Sequence, residues 1–202
     1  MKQASTRALF AYWNRRRGRR RAPARSDIDP ADIRRILGDA FMLAADFVDE
    51  LRFRLAGTRV CALFAREIKG ETFIDLWGHT SREHIVGPLT SVTNENEGIV
   101  AGALGRTEDG AEIELELLLL PLAFDSRTRI RALGVLAPLT PPYWLGERPV
   151  IELDLRTLRH IGAERSFVAG PHFGRPQDGP RTRHGLLVYS GGRELPSGKR
   201  TS

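Results

Sequence analysis

One cysteine, Cys61, stands in 202 residues, so the chain can close no internal disulfide and has no second thiol for a structural zinc site. Cys61 itself reads as a small buried hydrophobe rather than a reactive thiol. Nowhere do apolar residues run for the ~20 positions a membrane helix needs; the longest run, Leu117 to Phe124, is broken by Pro121 and suits a buried strand. No membrane span is expected. Acidic residues are missing from the first 25 positions, where the apolar patch Ala8 to Trp13 precedes an Arg cluster and is short for the apolar region of a signal peptide. With the lone thiol, this sets the expectation of a cytoplasmic protein. Also missing are a Gly-rich phosphate loop, a nucleophile elbow and any metal-ligand spacing. No catalytic residue and no metal site are expected, and the chain is not expected to be an enzyme.

What charge there is lies unevenly. Residues 1–25 hold nine Lys/Arg and no acid, residues 26–125 hold nine against nineteen acids, and residues 126–202 hold thirteen against six, for a total of +6. The basic pI therefore belongs to the two ends, and the middle of the chain is acidic. Arg15, Arg16, Arg17, Arg19, Arg20, Arg21 and Arg25 could bind phosphates of nucleic acid or of a lipid surface. Equally, such a run is the solvated end of a helix, or the trace of codon bias toward Arg.

Apolar periodicity supplies the elements. Ser5 to Arg17 reads as a helix with Leu9, Phe10, Tyr12 and Trp13 in one stripe, ended by Gly18. Asp29-Pro30 marks a second start, with Ile33, Ile36 and Leu37 at helical spacing and Gly38 at its end. Phe41 to Phe47 and Leu51 to Ala56 read as a hairpin around Asp49-Glu50; in the second strand Leu51, Phe53 and Leu55 alternate with Arg52 and Arg54. Thr58 opens a helical turn with Val60, Cys61 and Phe64, which Lys69-Gly70 breaks before Phe73 to Trp77. Thr80 and Glu83 have capping-box spacing ahead of Ile85, Val86, Leu89 and Val92, a helix interrupted at Pro88.

Three strands follow, Ile99 to Thr107, Ala111 to Leu122 and Ile130 to Leu139, the first two joined by the turn pair Asp109-Gly110. Ile113, Leu115 and Leu117 alternate with Glu112, Glu114 and Glu116, so one face of the middle strand starts wet. Beyond Pro141-Pro142, Tyr143 and Trp144, an add-on strand and helix is expected around Val150 to Leu158, where the regular core ends. Gly170 to Gly185, rich in Gly, Pro and Arg, cannot offset the entropy of ordering and is expected to be extended or mobile; Leu186 to Tyr189 could dock as a short strand. Phe53, Leu55, Phe64, Leu115, Leu117 and Leu133 are the expected shared core.

Two strands, several short helices and three antiparallel strands is the order of a PAS domain. Leu9-Phe10-Ala11-Tyr12-Trp13, the Asp29-Pro30 helix, and the block Arg52-Phe53-Arg54-Leu55-Ala56-Gly57-Thr58-Arg59-Val60 with Lys69-Gly70 and Asp75-Leu76-Trp77 resemble a bacterial stand-alone PAS-domain family, once catalogued as a domain of unknown function. The likeness runs from about Ser5 to Arg159. It implies an α+β fold: a PAS-like antiparallel sheet of about five strands with short helices over one face, an N-terminal helix and a C-terminal extension. The division expected is a basic amphipathic helix over residues 1–25, a PAS-like domain over 26–160 and a flexible extension over 161–202. The resemblance further implies a sensory or regulatory protein of bacterial signalling, some members being linked to cell-cycle or motility control; it supplies no ligand and no catalytic residue.

In such a fold a small molecule sits between helices and sheet, which makes Arg59, Trp77, His79 and Arg82 the candidate ligand-binding residues, with Arg54 facing away. Arg59 could clamp a carboxylate or phosphate, or pair with an acid of the core such as Asp75. Trp77 could stack on a ring or fill the core. His79 and His84 could ligate haem iron but stand in no haem motif, so no cofactor is named. Cys61 lies in Arg-Val-Cys-Ala-Leu, not in the Asn-Cys-Arg of flavin photosensors, and Gly191-Gly192-Arg193-Glu194-Leu195 lacks the Asp of a cyclic-dinucleotide synthase. The expected partner is a small-molecule ligand or a signalling protein, with a homodimer formed through the stripe Leu9, Tyr12 and Trp13. The alternative is a nucleic-acid-associated protein using the Arg tract.

Overall fold

The computed structural model describes residues 1–44, 51–123, 129–161, 181–183 and 186–188. The chain divides into a unit Met1–Glu164, which takes in the N-terminal helix, and a unit Arg165–Ser202. In the first unit, helix α1 (Ala4–Arg17) precedes three 3-10 turns, then strands β1 (Ala40–Ala44) and β2 (Arg52–Ala56). Helices α2 (Thr58–Phe64) and α3 (His79–Thr90) follow, and β3 (Gly98–Thr107), β4 (Glu112–Pro121), β5 (Ile130–Pro138) and β6 (Val150–Ile161) complete it. In the second unit, β7 (Arg181–Arg183) pairs with β8 (Leu186–Val188) in a two-stranded sheet. Most of Gly170 to Gly185 lies outside the described residues, and Leu186–Val188 pairs within its own hairpin.

The six strands of the main sheet are antiparallel neighbours in the order β2-β1-β5-β4-β3-β6. The expected five-strand set is present, and β6 is a full sixth member of the sheet, paired with β3 along its whole length to Ile161 rather than ending at Leu158. Residues 139–149 form turns, with no helix; Trp144 is tucked into the core while its neighbour Tyr143 is exposed. The Asp29-Pro30 signal opens a 3-10 turn, Pro30–Ile33, in which the Asp29 carboxylate accepts from the Ala31 amide at 2.9 Å. Helix α3 gives way after Thr90 to a π turn, Ser91–Glu95, just beyond Pro88, which has no amide to continue the ladder.

Alternation along the strands sends two sets of side chains to two faces. The inner set, with Phe41, Leu43, Phe53, Ile113, Leu115 and Leu117, packs beneath Leu63, Phe64, Phe73, Trp77, Ile85 and Leu89 from the helical segments. The outer set, with Met42, Leu118, Leu120, Leu133 and Val135, packs beneath Leu9, Tyr12 and Trp13 of α1 and Ile28 and Ile33 after it. Leu133 thus belongs to the outer cluster, not to the inner core expected for it. The unbroken run Leu117 to Leu120 is apolar because β4 is covered on both sides.

Leu55 overturns the simple alternation of β2. Register shifts between Met42 and Leu43, which oppose Leu55 and Phe53 respectively, so Arg54 is an unpaired extra residue. This β-bulge leaves Phe53 on the inner face but carries Leu55 to the outer one, where it is 49% exposed. Gly134 on β5 opposes Phe41 and leaves room for its ring: a Cβ there would meet Phe41 at 2.3 Å.

Candidate functional site

The corner where β2 meets α2 carries the most distinctive stretch of the sequence, Leu55 to Arg59. The Gly57 amide donates to the Ala40 carbonyl at 2.8 Å, and a Cβ on Gly57 would lie 2.0 Å from the Leu37 carbonyl oxygen. Only glycine lets the two backbones approach this closely. Arg59 then reaches back over Gly38 to Asp39, Nε donating to one carboxylate oxygen at 2.6 Å and Nη2 to the other at 2.9 Å. The pair is bidentate, and the hydrogen bond to Asp39 raises the already high pKa of the guanidinium. Arg59 is therefore held in an ion pair, as one of its two readings had it, but its partner is Asp39 rather than Asp75.

Asp75 faces Arg82 instead, with Nη1 3.5 Å from its carboxylate, while Nε of Arg82 donates to the Trp77 carbonyl at 2.7 Å. Arg82 thereby staples the turn Phe73–Leu76 to the first turn of α3. Trp77 fills the core at 1% exposure, its ring 6.0 Å from that of Phe73, and its buried Nε1 has no hydrogen-bond partner among the described residues. His79 and His84 are exposed on α3, and Nδ1 of His84 lies 2.7 Å from the Thr80 carbonyl. The four candidates do not converge: Trp77 alone is in the cleft, Arg82 grips its backbone, and Arg59 and His79 lie elsewhere on the surface.

The cleft itself is packed with rings. Phe41, Phe53, Phe73 and Trp77 are each no more than 2% exposed, with successive centroids 5.4 to 6.0 Å apart. Cys61 is half-buried, not fully buried as expected; its Sγ donates to Glu67 at 3.5 Å, and burial pushes its pKa up, which disfavours the reactive thiolate. Among the described residues no three His, Cys, Asp or Glu side chains gather as a metal site would require, and no helix is long and apolar enough to cross a membrane.

The stripe on α1 is corrected by its position. Leu9, Tyr12 and Trp13 are 0%, 3% and 5% exposed under the outer face, and Trp13 Nε1 donates to the Pro121 carbonyl at 2.7 Å. A stripe covered by its own sheet offers no surface for a homodimer. The Arg tract is also engaged within the chain: Arg16 pairs with Asp32, Arg20 with Asp27 at 2.7 Å, and the guanidinium groups of Arg15, Arg16 and Arg17 lie over Tyr12 or Trp13.

Sequence reading missed Glu116. It is 5% exposed in the middle of β4, where it accepts from the Lys2 amide at 2.6 Å, the Gln3 amide at 2.9 Å and the Thr6 hydroxyl, with the terminal ammonium 3.9 Å away. Burial is the largest influence and would raise its pKa, but these donors together outweigh it and hold the carboxyl below its ordinary range. Glu116, on the sheet face that α1 covers, thus anchors the segment that leads into the helix, its negative charge lying at the helix N-terminus. The available signal was its place at the border between Glu112-Glu114 and Leu118-Leu120 on one face.

No curated protein matches the sequence. Among solved structures, the chain is similar to a light-oxygen-voltage domain studied with a flavin analogue, at 14% identity and a TM-score of 0.43, covering 56% of this chain and 85% of that one. It is also similar to the PAS domain of an HTR-like protein from Haloarcula marismortui, at 16% identity and a TM-score of 0.39 over 51% of this chain and 84% of the other. A PAS domain of a protein from Colwellia psychrerythraea gives 17% identity and a TM-score of 0.38, over 55% and 97% of the two chains. A family model described as a PAS domain matches residues 1–137, from the α1 cap through the β5 strand that closes the five-strand set. PAS domains are generally sensory modules of signalling rather than catalysts, and with well over half its length matched this chain belongs to the PAS-domain family.

Proposed function

We propose that this chain is a non-enzymatic sensory or regulatory module of bacterial signalling that takes its signal, a small molecule or a partner protein, at its surface rather than by enclosing a cofactor between sheet and helices. One observation carries the reading: the inner cleft is filled by Phe41, Phe53, Phe73 and Trp77 at near-zero exposure, which leaves the polar candidates Arg59, His79 and Arg82 outside it. Two of those three residues hold backbone segments together through Asp39 and Asp75, which supports structural roles for them. The family resemblance extends the reading toward cell-cycle or motility control. The nucleic-acid reading draws less support, because much of the Arg tract is stacked or ion-paired on its own helix and turns.

Purified chain tests the reading directly. Its absorption spectrum should be that of tryptophan and tyrosine alone, and denaturation should release no flavin, haem or other stoichiometric cofactor into the filtrate. A cofactor recovered at one per chain would overturn it.

A further inference from the structure

Between the outer face of β1 and β2 and the segment that follows α1 lies a groove of about 330 Å³. It is lined by Ile28, Leu37, Met42, Leu55 and Leu133, with Arg25 among its walls. Two features set it apart from a packing defect. Leu55 is 49% exposed there, carried to this face by the bulge at Arg54, on an edge strand where a large apolar side chain costs solvation. Arg25 makes no ion pair among the described residues: Nη1 donates to the Ile28 carbonyl at 3.1 Å, but its buried Nε has no acceptor. A guanidinium without an ion pair at the wall of an apolar groove favours an anionic acceptor.

From the combination of an apolar trough and a guanidinium at its wall that makes no ion pair, we propose that this groove binds a small apolar carboxylate, its tail along Leu55, Met42 and Leu133 and its charged oxygen on the Arg25 guanidinium. The size agrees. At roughly 30 Å³ for each water-sized unit, the groove holds about ten to twelve of them, the bulk of a medium-chain or simple aromatic acid rather than of a nucleotide. Arg25 is also the only charged side chain among the described residues that line the groove. The proposal rests on the reading that the signal is taken at the surface, and it names the surface and the chemistry.

Octanoate is the probe, titrated into the full-length chain by calorimetry and by backbone amide NMR, with octanol and acetate as the tail-only and charge-only controls. Octanoate should bind, octanol about ten- to a hundredfold more weakly, and acetate without measurable heat. Amides of Ile28, Leu37 and Leu55 should shift. Arg25→Met should reduce octanoate affinity toward that of octanol, Leu55→Glu should abolish binding, and Arg54→Ala should leave it unchanged, with melting curves showing each variant folded. Octanol binding as well as octanoate, or folded Arg25→Met and Leu55→Glu variants that bind normally, would overturn the proposal. No shift with octanoate overturns it alone. Shifts centred on Ile85, Leu89 and Leu153 would place the ligand in the inner cleft and overturn the surface reading along with it.

Discussion

Arg59 and Asp39 are twenty residues apart in the chain, and the two glycines beside them, Gly38 and Gly57, let the backbones come near enough for the pair to close. The geometry assigns different weights to these residues. Arg59 has a half-exposed side chain, so Arg59→Ala should cost only about 1 kcal/mol, and a double-mutant cycle with Asp39→Ala should return a coupling of about that size. Gly57→Ala must push a methyl into the Leu37 and Gly38 carbonyls and should cost about 3 kcal/mol or more. Urea denaturation of the five proteins, wild type included, ranks them; a Gly57→Ala protein as stable as wild type would mean the corner yields easily. The sequence showed that Thr58, just after Gly57, opens a helical turn. It could not show which acid Arg59 meets, because Asp27, Asp29, Asp32, Asp39 and Asp75 are equivalent until the chain has folded.

At the scale of the element, β1 and β2 illustrate how one extra residue reassigns a face. Up to Arg54 the strand keeps period two, and afterwards the pattern is displaced by one, which separates Phe53 and Leu55 although they are two positions apart. Phe53→Ala should therefore destabilise by about 3 to 5 kcal/mol, as expected for an aromatic ring lost from a packed core. Leu55→Ala, at a half-exposed site, should change stability by less than about 1 kcal/mol. Equal losses in thermal unfolding would place the two on one face and refute the bulge. Strand β4 shows the converse, a regular element whose inward face was read correctly: Ile113, Leu115 and Leu117 face inward, and the turn at Asp109-Gly110 forms with Gly110 at φ +82°.

At the scale of the whole molecule, α1 is the second layer of the sheet, and Glu116 fixes where it begins. The carboxyl pKa is depressed in the folded chain, so its contribution is present above the ordinary glutamate pKa of about 4.3 and is lost as pH falls through the lower folded value. Asp27 and Asp109 are shifted the same way, Asp27 chiefly by the Ala24 amide and Asp109 chiefly by Thr107, so only a difference between variants isolates Glu116. Glu116→Gln should lower stability by about 2 kcal/mol at neutral pH, since charged acceptors make the stronger hydrogen bonds. Melting curves taken from pH 7 downward should show that gap narrowing below about pH 4. A gap that stays constant across the acid range would mean the carboxylate charge contributes nothing to docking the helix.

The sequence by itself determined the order of the strands and of the longer helices, because period-two and period-3.6 patterns, the Asp-Gly turn and Gly57 are properties of neighbouring residues. Even the resemblance that pointed to a PAS fold rested on such local blocks. Tertiary structure alone decided what each exposed-looking side chain faces. The stripe Leu9, Tyr12 and Trp13 has the pattern of a docking face and does dock, but the face it meets is on strands more than a hundred residues later, a contact that no local pattern encodes. The same holds for Glu116 under α1, for Asp39 beneath Arg59, and for a sixth strand that completes the sheet. Each depends on which distant segments the fold brings together, and burial then makes those pairings energetically decisive.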